Sequence, residues 1–171
     1  LYQVFTEKSR EKDKTIVPYI PSAIIEPVRD QVPEVKGIAR VFLATIAFEK
    51  GDTKFSEQGI YADEALLDMF TFPLQEGDKG NLFNKPNSVV ITAELAEKYF
   101  PGQSPLNQFI DIAQENNEKQ SYIISGVLKD IPHHSSIRFD FILSYPEFED
   151  RFRPWWKSTN PYSFSNYNVN A

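Results

Sequence analysis

Short apolar runs of strand length alternate along this chain with brief stretches of helical spacing. Near the centre, Val89, Val90 and Ile91 form an unbroken apolar run bounded by Pro86-Asn87 and Thr92, which predicts a buried strand. Thr92 can accept a hydrogen bond from a free N–H of a following helical turn, and Glu94 suits the positive helix end. Leu95, Ala96, Tyr99 and Phe100 then share one helical face, and Pro101-Gly102 ends the helix. The chain returns as strands over 109–113 and 122–128, with a polar hairpin tip within 111–121.

The same reading extends outward. Residues 1–5 suggest a strand, and residues 6–14 (TEKSREKDK) a charged, solvated loop. Residues 21–32 suggest a helix capped by Ser22, with an apolar stripe of Ile24, Ile25, Val28 and Val32, limited by Pro27 and stopped by Pro33. Residues 38–49 predict a long strand, Gly51-Asp52 a turn, and residues 55–61 the strand that pairs back. Asp63 is placed to cap a short helix over 64–70, and residues 75–86 read as a polar loop. Over 138–145, Phe139, Phe141, Leu143 and Tyr145 alternate with Arg138, Asp140 and Ser144, the signature of a half-buried strand. Residues 146–152 suggest a short acidic helix. Hairpins mixed with short helices argue for an α+β fold with mixed or antiparallel sheets.

Composition narrows the function classes. A chain of 171 residues, 41% hydrophobic and 14% aromatic, can bury a core as one domain or two small subdomains. Its formal net charge of −6 disfavours nucleic acid or an anionic membrane face as the main partner. No cysteine is present, which excludes disulfides and thiolate metal sites. No apolar run reaches the roughly 18 residues that suggest a membrane-spanning helix. The chain opens in LYQVF, with neither a basic start nor a long apolar segment, and closes in Asn-rich sequence, so it reads as a piece of a longer protein.

Candidate chemistry is sparse. His133 and His134 are the only histidines; neighbours on an extended chain point to opposite sides, and a solvated loop is the reading adopted. Glu147, Glu149 and Asp150 lack the glycine turn and ligand spacing of a calcium loop and read as a solvated helix start. There is no G-x-x-x-x-G-K-[ST] and no G-x-S-x-G, so neither a phosphate cradle nor a nucleophile elbow is expected, and no cofactor is implied. Trp155, Trp156, Tyr162, Phe164 and Tyr167 make an aromatic tail that either offers a partner surface or packs on the sheet.

The order of several weak motifs is more specific than any one of them. Phe70 and Phe72, Pro73-Leu74, Gly77-Asp78, Pro86, Ser88 to Thr92, Ala96, Lys98-Tyr99-Phe100, Pro105, Gly126-Val127, Asp130, Pro132, Ser136 and Phe139-Asp140-Phe141 succeed one another at characteristic spacing. Together they resemble the periplasmic core domain of MacB-like ABC transporter permeases, which belong with the FtsX-like permeases. Asn107 stands where that family usually has glycine, and Gly102 comes after an inserted-looking Pro101; both changes fall in turns.

The resemblance implies a porter-like subdomain begun by residues 1–49, an inserted α+β subdomain over 50–154, and a tail, 155–171, returning toward the porter-like part. It implies a domain on the periplasmic side of the bacterial inner membrane, anchored in the full-length protein by membrane helices. Its ATPase would be a cytoplasmic ABC subunit, on a separate chain or domain. A second permease copy is implied as partner, with room for a periplasmic adaptor. Gly102 and Asn107 are the candidate hinge positions, and Trp155, Trp156 and Tyr162 the candidate partner surface. A free-standing periplasmic module that binds a ligand or protein is the alternative. A small hydrolase is a third class, for which the sequence offers no catalytic set.

Overall fold

A computed structural model describes residues 6–10, 13–17, 25–51, 53–113, 118–132, 135 and 137–151. The chain divides into two compact units, Ala39–Arg151 and a second formed by Leu1–Ile38 with Phe152–Ala171. Residues 39–49 fall in the larger unit, where the strand they contain is paired along its whole length with the next one.

In the smaller unit, β1 (Thr6–Arg10) and β2 (Asp13–Val17) form an antiparallel ribbon, and α1 spans Ile25–Gln31. The expectation of a loop over 6–14 is therefore corrected. The backbone of these residues pairs strand to strand, and the register sets Arg10 opposite Asp13. The strand expected at 1–5 and the Ser22 cap lie outside the described residues.

The larger unit is built on seven strands: β3 (Val41–Lys50), β4 (Thr53–Ala62), β5 (Leu74–Gly77), β6 (Ser88–Thr92), β7 (Phe109–Ala113), β8 (Lys119–Leu128) and β9 (Phe141–Ser144). Two short helices, α2 (Ala65–Met69) and α3 (Ala93–Tyr99), join them. Residues 145–151 are also helical and are called α4. The strand order is β5-β8-β6-β9-β4-β3-β7, and β7 pairs again with β8. Six strands thus close into a ring, with β5 joined to β8 beside β7. The β4–β9 and β6–β8 pairings are parallel; the others are antiparallel.

Ile60, Val90, Leu128 and Ile142 pack with Leu66 and Leu67 of α2, Leu82 and Phe139. By strand alternation, Val89, Ile91, Phe141 and Leu143 face the other side, where Phe141 meets Phe48 with ring centroids 4.8 Å apart.

Three further expectations change. Residues 75–86 are not all loop: β5 pairs antiparallel with β8, and a 3₁₀ turn, Lys79–Asn81, comes next, with Leu82 buried behind it. The strand expected over 138–145 is Phe141–Ser144 only, and it is not half-buried, since Phe141, Ile142 and Leu143 are all buried. It lies between β4 and β6 with apolar layers on both faces, so side-chain alternation does not become burial alternation. Finally, Asp63 does not cap α2 through its side chain. The N-cap position is Glu64, without a side-chain cap bond, and the Asp63 carboxylate is taken by Arg40.

Candidate functional site

Several of the described motif residues are fasteners. Asp78, after Gly77, accepts the Gly80 N–H at 3.2 Å and so caps the 3₁₀ turn. Phe70 stacks on Phe72, which meets Phe139 edge-on. Thr92 caps α3 as expected, accepting the Leu95 N–H at 3.3 Å. Asp130 accepts the Glu94 N–H at 2.7 Å, so two free donors of the first helical turn are occupied by side chains. In the Phe139-Asp140-Phe141 motif, the Asp140 backbone N–H donates to the Gln58 carbonyl at 2.6 Å and its carbonyl accepts from Thr92 N–H at 2.9 Å. It thereby joins β4 to the end of β6.

Lys98-Tyr99 carries a second fastening. Glu57 of β4 is 6% exposed, and its Oε1 accepts from Lys98 Nζ at 2.6 Å and from Tyr99 Oη at 2.5 Å. Lys98 also lies 4.8 Å from the Phe55 ring centroid. A buried carboxylate needs such partners. Burial, together with the bond to Glu57, pushes the Tyr99 hydroxyl well above its ordinary value, which keeps it a neutral donor. The arrangement binds α3 to the ring and contains no nucleophile-and-base pair.

Among the described residues, a polar cluster gathers around Arg40, just ahead of β3. Its Nε donates to Asp63 Oδ2 at 2.8 Å and its Nη2 to Asp63 Oδ1 at 2.7 Å, while its backbone N–H also reaches Oδ2 at 2.8 Å. Its Nη1 donates to Glu149 Oε1 at 2.7 Å, and the guanidinium lies 4.0 Å over the Tyr145 ring. The bond to Asp63 raises the guanidinium further, against the opposing effect of burial. Nearby, the Tyr122 hydroxyl donates to Glu147. Burial raises the Glu147 carboxyl above the usual carboxylate range, although the Tyr122 bond opposes it. Glu147 and Glu149, expected as a solvated helix start, are instead the tethers of α4, because that helix lies against the ring through Phe148, close to Phe42, Tyr61 and Tyr145.

The sequence candidates fall in two places. Gly102 (φ +68) and Asn107 (φ +63) both adopt left-handed backbone in the turn from α3 to β7. Asn107 is anchored, its N–H donating to the Ile124 carbonyl at 2.8 Å, and the Gln108 carbonyl accepts from Ile124 N–H at 2.9 Å. Gly102 stands in open space. Trp155, Trp156 and Tyr162 lie outside the described residues, as do His133, His134 and Ser136. Among the described residues, no three His, Cys, Asp or Glu side chains are grouped to hold a metal, and no helix is long and apolar enough to cross a membrane. Sequence reasoning missed the Arg40 cluster. The signal available was an arginine just before a strand and an aspartate just after its partner.

Residues 1–170 match the family model of the MacB-like periplasmic core domain. The chain belongs to that family. No curated protein matches it. Among solved structures, it is similar to a domain of a putative permease protein from Porphyromonas gingivalis, with 24% identity, a TM-score of 0.61, and coverage of 71% of this chain and 56% of that one. It is also similar to the extracellular domain of the noncanonic ABC-type transporter YknZ from Gram-positive bacteria (14% identity, TM-score 0.59, 78% and 67% covered). A third likeness is to the periplasmic region of MacB from Actinobacillus actinomycetemcomitans (12% identity, TM-score 0.55, 75% and 58% covered). The chain thus spans little more than half of the first of these structures. Their likeness is one of fold, α+β with a mixed sheet, and family membership makes this an extracytoplasmic domain of a MacB/FtsX-like permease.

Proposed function

We propose that this domain couples movement of membrane helices, driven by a cytoplasmic ABC ATPase, to the export or gating of a substrate outside the cytoplasm. The observation that carries the reading is the family match over residues 1–170. The work is mechanical: the domain contributes binding surface and motion, and bond chemistry belongs to the ATPase. In this reading the domain stands on the periplasmic face of the inner membrane, anchored through membrane helices. A second permease copy is its partner, and a periplasmic adaptor is compatible with it. Residues 1–49 begin the porter-like part, 50–154 form the insertion, and 155–171 return toward it. Gly102 and Asn107 absorb backbone change, with Gly102 the freer of the two. Trp155, Trp156 and Tyr162 supply the partner surface.

The test is the Trp155→Glu/Trp156→Glu double variant in the intact transporter. Export should fall while basal ATP hydrolysis persists. Normal export from a stable, correctly inserted double variant removes the tail from the mechanism. The alternative, a free-standing binding module, is separated by the flanking sequence. Four membrane helices and an adjacent ATPase support the permease; a signal peptide with no membrane helix supports the module.

A further inference from the structure

The chain enters its larger compact unit at Ala39 and leaves it at Arg151. Arg40 stands at the first of these points and Glu149 close to the second. Their side chains meet at 2.7 Å across a sequence separation of 109.

Neither partner is loosely held. Asp63 grips Arg40 by a two-pronged guanidinium contact and by its backbone N–H, and the Tyr145 ring covers the guanidinium. On the other side, α4 is fastened by the Tyr122–Glu147 bond, by Phe148 among Phe42, Tyr61 and Tyr145, and by Arg151 Nη1 donating to Tyr61 Oη at 3.3 Å. An exposed pair of long side chains would contribute little and release readily. Here the side chains of Arg40, Asp63 and Glu149 are 25%, 24% and 40% exposed, and the fork geometry on Asp63 fixes the guanidinium plane before Glu149 meets it.

We infer that Arg40, Asp63 and Glu149 form a clamp that locks the incoming and outgoing segments of the 39–151 unit to each other. A displacement applied to either segment is then shared by both, and the unit answers as one body rather than opening at one end. The importance of this for transport rests on the proposed function; the clamp itself does not.

Hydrogen–deuterium exchange on the 171-residue chain tests it with Glu149→Gln, which removes the charge at nearly constant shape, and Arg40→Lys, which keeps the charge but loses the fork. Both variants should speed exchange of residues 41–44 and 145–151 together, by about tenfold, while residues 123–128 of β8 keep their rates. Acceleration confined to 145–151 would make Glu149 a local helix tether and overturn the clamp. So would unchanged rates in both segments, or acceleration throughout β8, which would make the pair a support of the whole fold. Since no transport is measured, failure of the export experiment leaves this result standing, and the reverse holds as well.

Discussion

Replacing Gly59 by alanine puts a methyl group where the ring of Phe141 already lies. Gly59 pairs with Phe141 in the parallel β4–β9 ladder, and a Cβ there would stand 2.4 Å from Cε1 and Cζ of the ring and 2.5 Å from Cδ1. Phe141 is 0% exposed and packs on Phe48, so the ring cannot swing into water. Overpacking of a well-filled core costs about 1–3 kcal/mol, and a fixed ring puts this case at the upper end. Alanine offsets about 0.4–1 kcal/mol of that by restricting the unfolded chain. The net expectation is a loss of about 2 kcal/mol, read as a lower denaturant midpoint at unchanged slope. Phe141→Leu removes the offending ring atoms, so the double variant should be more stable than the two single losses predict, by about 1 kcal/mol. A Gly59→Ala loss under about 0.5 kcal/mol, or strict additivity in the double variant, refutes the packing argument.

Leu95→Ala should cost about 2–5 kcal/mol, because Leu95 is 3% exposed on the buried face of α3; a loss under about 0.5 kcal/mol in denaturant melts contradicts that burial. Glu147 gives a pH signature. Its folded carboxyl lies above its unfolded value, so its contribution is fully present below the unfolded value and is lost as pH rises through the folded one. Wild type should therefore gain stability relative to Glu147→Gln as pH falls from neutral toward the ordinary carboxylate range, about 4.3; an unchanging difference between the two across that window counts against the buried carboxylate.

Local rules carry far where local causes decide. The Val89–Ile91 run and the Thr92 cap depend on neighbours in sequence and stand where pattern places them, and the hairpin expected from strands 38–49 and 55–61 forms with strands Val41–Lys50 and Thr53–Ala62. Asp63 and Asp130 show where that reasoning stops. Each is a good cap by composition, yet Asp63 is claimed by Arg40, and Asp130 caps a helix 36 residues upstream. The burial of β9 escapes pattern for the same reason, since alternation cannot tell an edge strand from one flanked on both sides. Glu147 reads as a surface charge because its partner, Tyr122, reaches it from another element, and nothing local marks Glu57, which Lys98 and Tyr99 of α3 hold. The order of the motifs nevertheless points to the family, which the match over residues 1–170 bears out.

The closed ring bears on how the chain must fold. β4 and β6 do not pair with each other; β9, only Phe141–Ser144, stands between them. Until those four residues leave the ribosome or the translocation channel, β4 and β6 each keep one edge unsatisfied. Parallel pairing across such long sequence separations is slow, and unpaired edges are templates for association with other chains. The last strand of the ring is therefore its keystone in time as well as in space. Nascent chains stalled before residue 141 should depend on holding chaperones, and those released past 144 should not.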